Sequence, residues 1–261
     1  IGVVIMIELE HIQFAYPGQS PLLKEINAVF PQKQITTILG PNGCGKSTLL
    51  KIACRLLKPS AGRVLLRGQD IYTMKTKQFA QQISLLSQTN HPPEIPVEDL
   101  VAYGRYPHQN YGQKLTAQDR IIIDHAISLV KADNYRQRPV SQLSGGQRQR
   151  AYIAMALAQD TDVIFLDEPT TYLDIHIRFE IMDLIRHLNQ QGKTIIMVLH
   201  DLNLALEYSH QIILLDRGEI QMQGTPQQVL QSGLLDRIFH VRTHIFYEDN
   251  QPFYHFAKEQ L

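Results

Sequence analysis

The sequence predicts an α/β protein: a mostly parallel sheet flanked by helices on both faces, an antiparallel β part at the N-terminal side, and an inserted helical subdomain. Three observations lead there. Short apolar, β-branched runs at 35–39, 163–166 and 194–199 read as strands buried on both faces. Helical stretches at 48–57 and 174–190 alternate with those runs. From about 89 to 159 the strands stop, and helices at 97–105, 117–130 and 145–159 follow one another.

Ile7 and Leu9, then Ile12, Phe14 and Tyr16, alternate as strands do, with a change of phase near His11. The cluster 17–21 is a turn and 26–30 a second strand. After the strand 35–39, the helix 48–57 places Leu49, Ile52, Ala53 and Leu56 on one face. A turn at 59–62 leads to strands at 63–67 and 82–88, and the proline-rich run 91–96 opens the helical insertion. Beyond the strand 194–199, residues 211–216 and 219–223 form a hairpin around Arg217 and Gly218. Thr225 and Pro226 start a last clear helix as N-cap and first-turn proline. His240 and His244 have helical i, i+4 spacing but no fixed third ligand, and the aromatic tail (Phe246, Tyr247, Phe253, Tyr254, Phe256) reads as packing rather than a ligand cage.

At 261 residues the chain can bury one sizeable core. Lysine plus arginine and aspartate plus glutamate number 25 each, which argues against a DNA or RNA role without excluding a local basic patch. No apolar run approaches the ~18 residues that span a bilayer, and no signal peptide is visible, so membrane work falls to a partner. Residues 1–5, ahead of Met6, read as an upstream extension or a cloning remnant. Cys44 and Cys54 lie on one rigid strand-loop-helix unit, are not expected to pair, and suit a reducing compartment.

Gly40, Pro41, Asn42, Gly43, Cys44, Gly45, Lys46 and Ser47 match G-x-x-x-x-G-K-[ST], the phosphate-binding loop, with Thr48 following. A strand before it and a helix after it are the context this motif requires. Glycines let the backbone fold round an anion, successive N–H groups form a nest, and the helix N-terminus adds partial positive charge. Lys46 would reach the β- and γ-phosphates of ATP, and Ser47 would offer its hydroxyl to Mg²⁺. Cys44, beside a lysine and a helix start, is expected to have a lowered thiol pKa and to be alkylated, with MgATP protecting.

The strand 163–166 delivers Asp167 and Glu168 at its C-terminal end, where open α/β sheets bind ligands. Asp167 would help hold Mg²⁺, and Glu168 would act as general base on the attacking water. Leu143, Ser144, Gly145, Gly146 and Gln147 form a second phosphate device: a hydroxyl and glycine amides opening a helix. On those five residues alone, a turn that merely caps a helix reads equally well. The simplest use of a second cradle is to grip the nucleotide of another copy.

With the two nucleotide motifs, Leu143 to Gln147 resembles the ATP-binding cassette family, and the likeness runs from about 7 to 223. The resemblance implies a P-loop NTPase core at 6–88 and 160–224, a helical subdomain at 89–159 and a C-terminal tail at 225–261, together one ATP-binding domain. It implies that Tyr16 stacks on adenine and that Gln88 contacts Mg²⁺ and the attacking water. It further implies that Asp174, with Leu173, lies in a loop communicating between two sites, and that His200 contacts γ-phosphate and orients Glu168. The implied partners are a second copy in a nucleotide sandwich, transmembrane permease subunits meeting residues near 89–110, and indirectly a substrate-binding protein. The implied place is the cytoplasmic face of the membrane. The strings 99–108 and 168–175 resemble the group serving iron-siderophore, haem and cobalamin importers. Other cargoes (a metal ion, an amino acid, an exported compound) and a soluble non-transport ATPase are the alternatives.

Overall fold

A computed structural model describes residues 4–87, 92–110, 113–249 and 251–258. It opens with β1 (Ile5–Phe14) and β2 (Leu23–Pro31), paired antiparallel. The change of phase near His11 is a bulge: the register shifts between Leu9 and Ile12, and His11 has φ 50°. The extra residue returns Ile12 and Phe14 to the buried face.

β3 (Ile35–Leu39) is buried at every position and leads through the phosphate loop into α1 (Lys46–Ala53). This helix is shorter than the apolar spacing predicts. It is capped at Cys54, and Arg55 turns left-handed at φ 63°. Leu56 consequently leaves the buried stripe and is 59% exposed, a correction to its place on the helical face. β4 (Ala61–Leu66) and the short β5 (Gln69–Asp70) complete a four-stranded antiparallel sheet in the order β2-β1-β4-β5. α2 (Thr76–Ala80) then leads to β6 (Ile83–Leu86).

The insertion carries α3 (Val97–Tyr103), α4 (Ala117–Leu129) and α5 (Gly145–Ala158). A buried ion pair links all three. Arg105, just past α3, donates to Asp119 Oδ1 on α4 at 2.8 Å and to the Ala158 carbonyl on α5 at 2.8 Å. Burial pushes the Asp119 carboxyl up, but hydrogen bonds from Thr116 and Arg105 outweigh it and hold its pKa at about 2. Asp119 also closes the capping box with Thr116 that starts α4.

The core resumes with β7 (Val163–Asp167), α6 (Ile175–Gln190), β8 (Thr194–Val198), α7 (Leu202–Tyr208), β9 (Gln211–Asp216) and β10 (Glu219–Gly224). The larger sheet has the order β10-β9-β3-β8-β7-β6, antiparallel only at the β9–β10 hairpin. Its alternate residues feed two cores. Ile38, Phe165, Ile196 and Val198 pack with α1 and the antiparallel sheet. Ile35, Leu166, Ile195 and Met197 pack with α5, α6 and α7. Each fully buried aliphatic contributes roughly 1.5–3 kcal/mol, which explains why β3, β7 and β8 have no polar-out face.

α8 (Pro226–Gln231), with its Thr225 capping box, and α9 (Leu234–Phe239) precede a hairpin absent from the sequence reading, β11 (Val241–Glu248) and β12 (Gln251–Lys258). His240 caps α9 in left-handed geometry and His244 lies in β11, so the two do not share a helical face. Of the aromatic tail, Tyr254 and Phe256 pack on the core, while Phe246, Tyr247 and Phe253 are exposed. Among the described residues no helix is long and apolar enough to cross a membrane.

Candidate active site

The C-terminal ends of β3, β7 and β8 lie side by side, so the loops that leave them converge on one edge of the sheet. The β3 loop must turn tightly against β9. A Cβ on Gly40 would lie 2.0 Å from the Leu215 carbonyl oxygen, and Gly45 sits at φ 108°, where a side chain is strained. Lys46 is buried and folds back over the loop, donating to the carbonyls of Gly40 and Pro41 at 2.9 Å each. Ser47 donates to Asp167 Oδ1 at 2.9 Å, joining the loop to the end of β7. Tyr16 reaches the same helix start: its hydroxyl is 3.2 Å from Thr48 Oγ1, and its ring meets Phe14 edge-on at 4.9 Å.

Glu168 follows β7 in left-handed geometry, φ 53°, with its N–H donating to the Val198 carbonyl of β8. A non-glycine residue held there costs of order 1–2 kcal/mol. The strained turn aims the carboxylate sideways, where Oε2 accepts from Thr171 Oγ1 at 3.0 Å and Oε1 is hydrogen-bonded to His200 Nε2. Leu22, Asn42, Lys46, Ser47, Glu168 and His200 line one cleft of about 200 Å³. A carboxylate, the histidine bonded to it and the glycine-rich loop with its lysine therefore face the same space.

Burial raises the Asp167 carboxyl pKa, and the Ser47 hydrogen bond opposes that. Two hard oxygen donors held 2.9 Å apart at a phosphate loop suit a magnesium ion, so the residues present fit the ion the motifs imply. Gln88, the third expected ligand, lies outside the described residues. Cys44 corrects its sequence reading. Its side chain turns into the core, and burial raises the thiol pKa despite the opposing charge of Lys46. Cys54 is pushed up to about 12, again by burial. Neither thiol should react with maleimide in the native protein at neutral pH, and intact-mass spectrometry with and without denaturant checks this. Labelling of native Cys44 that MgATP blocks would restore the reactive-thiol reading.

The expected second cradle lies elsewhere. Ser144 caps α5, accepting from the Gln147 N–H at 3.3 Å while its own N–H donates to Gln147 Oε1 at 3.2 Å. With Gly145, Gly146, Gln147 and Asp174 it lines a hollow of about 490 Å³ that Lys46 does not reach. Asp174 is the exposed N-cap residue of α6, and Tyr172 before it is 95% exposed at φ 61°. Sequence reasoning missed Thr171, although a hydroxyl three residues after Glu168 in a turn was a legible sign, since Thr171 N–H also returns to the Glu168 carbonyl.

A glycine-rich phosphate-loop sequence at a strand end, a bonded serine-aspartate pair beside it and a carboxylate held by a histidine have the layout of a P-loop nucleoside-triphosphate hydrolase. The ABC transporter family profile matches residues 23–171. The petrobactin import ATP-binding protein FpuC of Bacillus anthracis is 41% identical over 251 residues, 95% of this chain and 92% of that protein. The iron(3+)-hydroxamate import ATP-binding protein FhuC of Bacillus subtilis is 44% identical over 230 residues, 87% and 86% of the two chains. An ABC transporter in an inward-facing conformation, described as of metal-chelate type, superimposes with a TM-score of 0.83 at 26% identity, covering 97% of each chain. The dimeric structure of a bacterial ABC transporter cassette gives 0.75 at 29% identity, covering 85% of this chain and 99% of that one. The chain belongs to the ABC transporter family, and it is an ATPase coupled to transport.

Proposed function

We propose that this chain powers uptake of a metal chelate, of the iron-siderophore, haem or cobalamin type, through separate permease subunits. The ATPase half of the reading is carried by Glu168, hydrogen-bonded to His200 and Thr171 at the mouth of the phosphate-loop cleft. Lys46 would bind the β- and γ-phosphates, Tyr16 the adenine, and the amides of residues 40–48 would wrap the phosphate chain. Glu168 would take the proton of the attacking water, held in orientation by His200. Ser47, Asp167 and Gln88 would hold Mg²⁺, which supplies charge neutralisation on the phosphates.

The chain's two cradles line separate hollows, which favours two copies closing on two nucleotides, each lending Ser144, Gly145, Gly146 and Gln147 to the other. Asp174 would then lie in the loop between the two sites. Closure on ATP and opening after hydrolysis form the two-state element that drives the permease. We assign 6–88 and 160–224 to the core, 89–159 to the helical arm and 225–261 to the tail. The permease contact is assigned near 89–110, where Leu100, Val101 and Arg105 pack the arm but Tyr103 and Tyr106 stack at 5.0 Å on the outside. The chain would sit at the cytoplasmic face, held by the permease, with a substrate-binding protein acting indirectly.

The names of the relatives, import proteins for petrobactin and for iron(3+)-hydroxamate, support the iron-siderophore part of that cargo class. Deleting the gene should abolish growth on ferric siderophores, haem or cobalamin as the limiting nutrient, and the intact chain should restore it. Unimpaired growth on all three classes would overturn the cargo reading.

A further inference from the structure

The hairpin β11–β12 is the one element of the described residues whose strands pair only with each other, and it carries a concentration of exposed apolar side chains: Ile245, Phe246, Tyr247 and Phe253. Its base is anchored, because Tyr254 and Phe256 pack on the core and Thr243 is bonded to Asp236 of α9. Beyond the Ile245–Tyr254 pair, Phe246, Tyr247 and Phe253 are exposed.

The direction of the free backbone groups follows from one bond. The ladder runs through eight pairs without a shift, from Val241–Lys258 to Glu248–Gln251. Thr243 turns its N–H to Asp236 Oδ1 at 3.1 Å, away from Phe256 across the ladder. In an antiparallel pair such positions alternate, so Ile245 and Tyr247 also aim their N–H and C=O groups away from β12. This is an open strand edge, of the kind that pairs with another strand unless blocked. Among the described residues Asp236 is the group bonded to this edge, at Thr243.

The sequence along that edge is self-complementary. A two-fold axis through Ile245 sets Ile245 against its copy, His244 against the partner's Phe246, and Arg242 against the partner's Glu248 at both ends. Arg242 and Glu248 are exposed and in no ion pair among the described residues. Of the antiparallel registers this edge allows, only this one joins those two charges. Ile245 would exchange two backbone bonds with its copy. Tyr247 would exchange two backbone bonds with Thr243 on each side, its carbonyl displacing Asp236 from the Thr243 N–H.

We propose that the β11 edges of two copies pair antiparallel about Ile245, forming a four-stranded sheet that joins two subunits independently of nucleotide. Such a symmetric contact is self-complementary by construction. The charges set its register more than its strength, since exposed ion pairs contribute little. The contact stands beside the nucleotide sandwich: it would keep two subunits together while the ATP sites are open.

The test uses the full chain without nucleotide. With Cys44 and Cys54 buried, Ile245→Cys provides the accessible thiol, and hydrogen-bonded cross-strand Cα atoms at ~5.5 Å are within disulfide reach. Mild oxidation should give a disulfide-linked dimer several-fold faster than Phe253→Cys on the opposite strand. Adding Arg242→Glu should slow it, and Arg242→Glu with Glu248→Arg should restore it. No linked dimer, equal rates at both positions, or no rescue by the charge exchange would overturn the proposal. A failure here leaves the ATP-dependent sandwich untouched, because that contact is read by the Ser144 variant discussed below.

Discussion

Glu168→Gln should lower ATP turnover by roughly 10²–10⁴-fold, the usual range for loss of a general base, while ATP affinity stays near that of the parent. The reason lies in what the substitution keeps. Glutamine preserves an oxygen to accept from Thr171 and an amide to meet His200, so the strained turn at φ 53° retains its partners. Lys46, Ser47 and the loop amides, which would bind the phosphates, are not touched. Only the basic oxygen aimed into the cleft is lost. With hydrolysis slowed and binding intact, the variant should accumulate as an ATP-bound dimer. Phosphate release measures the first effect, and light scattering with and without MgATP measures the second. Turnover at the parent's rate would remove Glu168 from proton transfer and leave it as a positioning group for His200.

Much of this was legible in the sequence because it is local. Unbroken apolar runs report strands buried on both faces, and β3, β7 and β8 are buried at every position. The spacing of the phosphate loop carries its own geometry. What failed was set by tertiary context. Leu56 fits the helical period, yet Arg55 turns left-handed first, and nothing in the i, i+3 pattern reports that. Cys44 has a lysine and a helix start beside it, which argues for a low pKa, but burial is the larger effect and reverses the sign. The hairpin β11–β12 was hidden because its pairing partners lie across a turn, while His240 before it and His244 within it fall by accident at helical spacing. Among the site residues, the family resemblance already set His200 against Glu168, and the two are hydrogen-bonded. The direct Ser47–Asp167 bond was not read, because it depends on the parallel order of β3, β8 and β7.

Ser144→Asp should abolish both turnover and ATP-driven dimerisation while leaving ATP binding to the single subunit unchanged. Aspartate is as good an N-cap as serine, so α5 keeps its capped start and the substitution does not act through stability. It replaces a hydroxyl donor with a negative charge. Within one chain that charge lies in a different hollow from Lys46, and it should not disturb the first nucleotide contact. In a closed pair it would face the triphosphate held by the partner, where like charges brought together cost several kcal/mol. That exceeds the discrimination needed to suppress the dimer more than about a hundredfold. The measurement is ATP affinity of the subunit by fluorescent-nucleotide titration, set beside light scattering of the Glu168→Gln protein with and without the second change. If Ser144→Asp weakens binding in the single subunit, the serine serves its own chain's nucleotide. If the double variant still dimerises on ATP, the two cradles do not share a triphosphate, and closure must be driven by another surface.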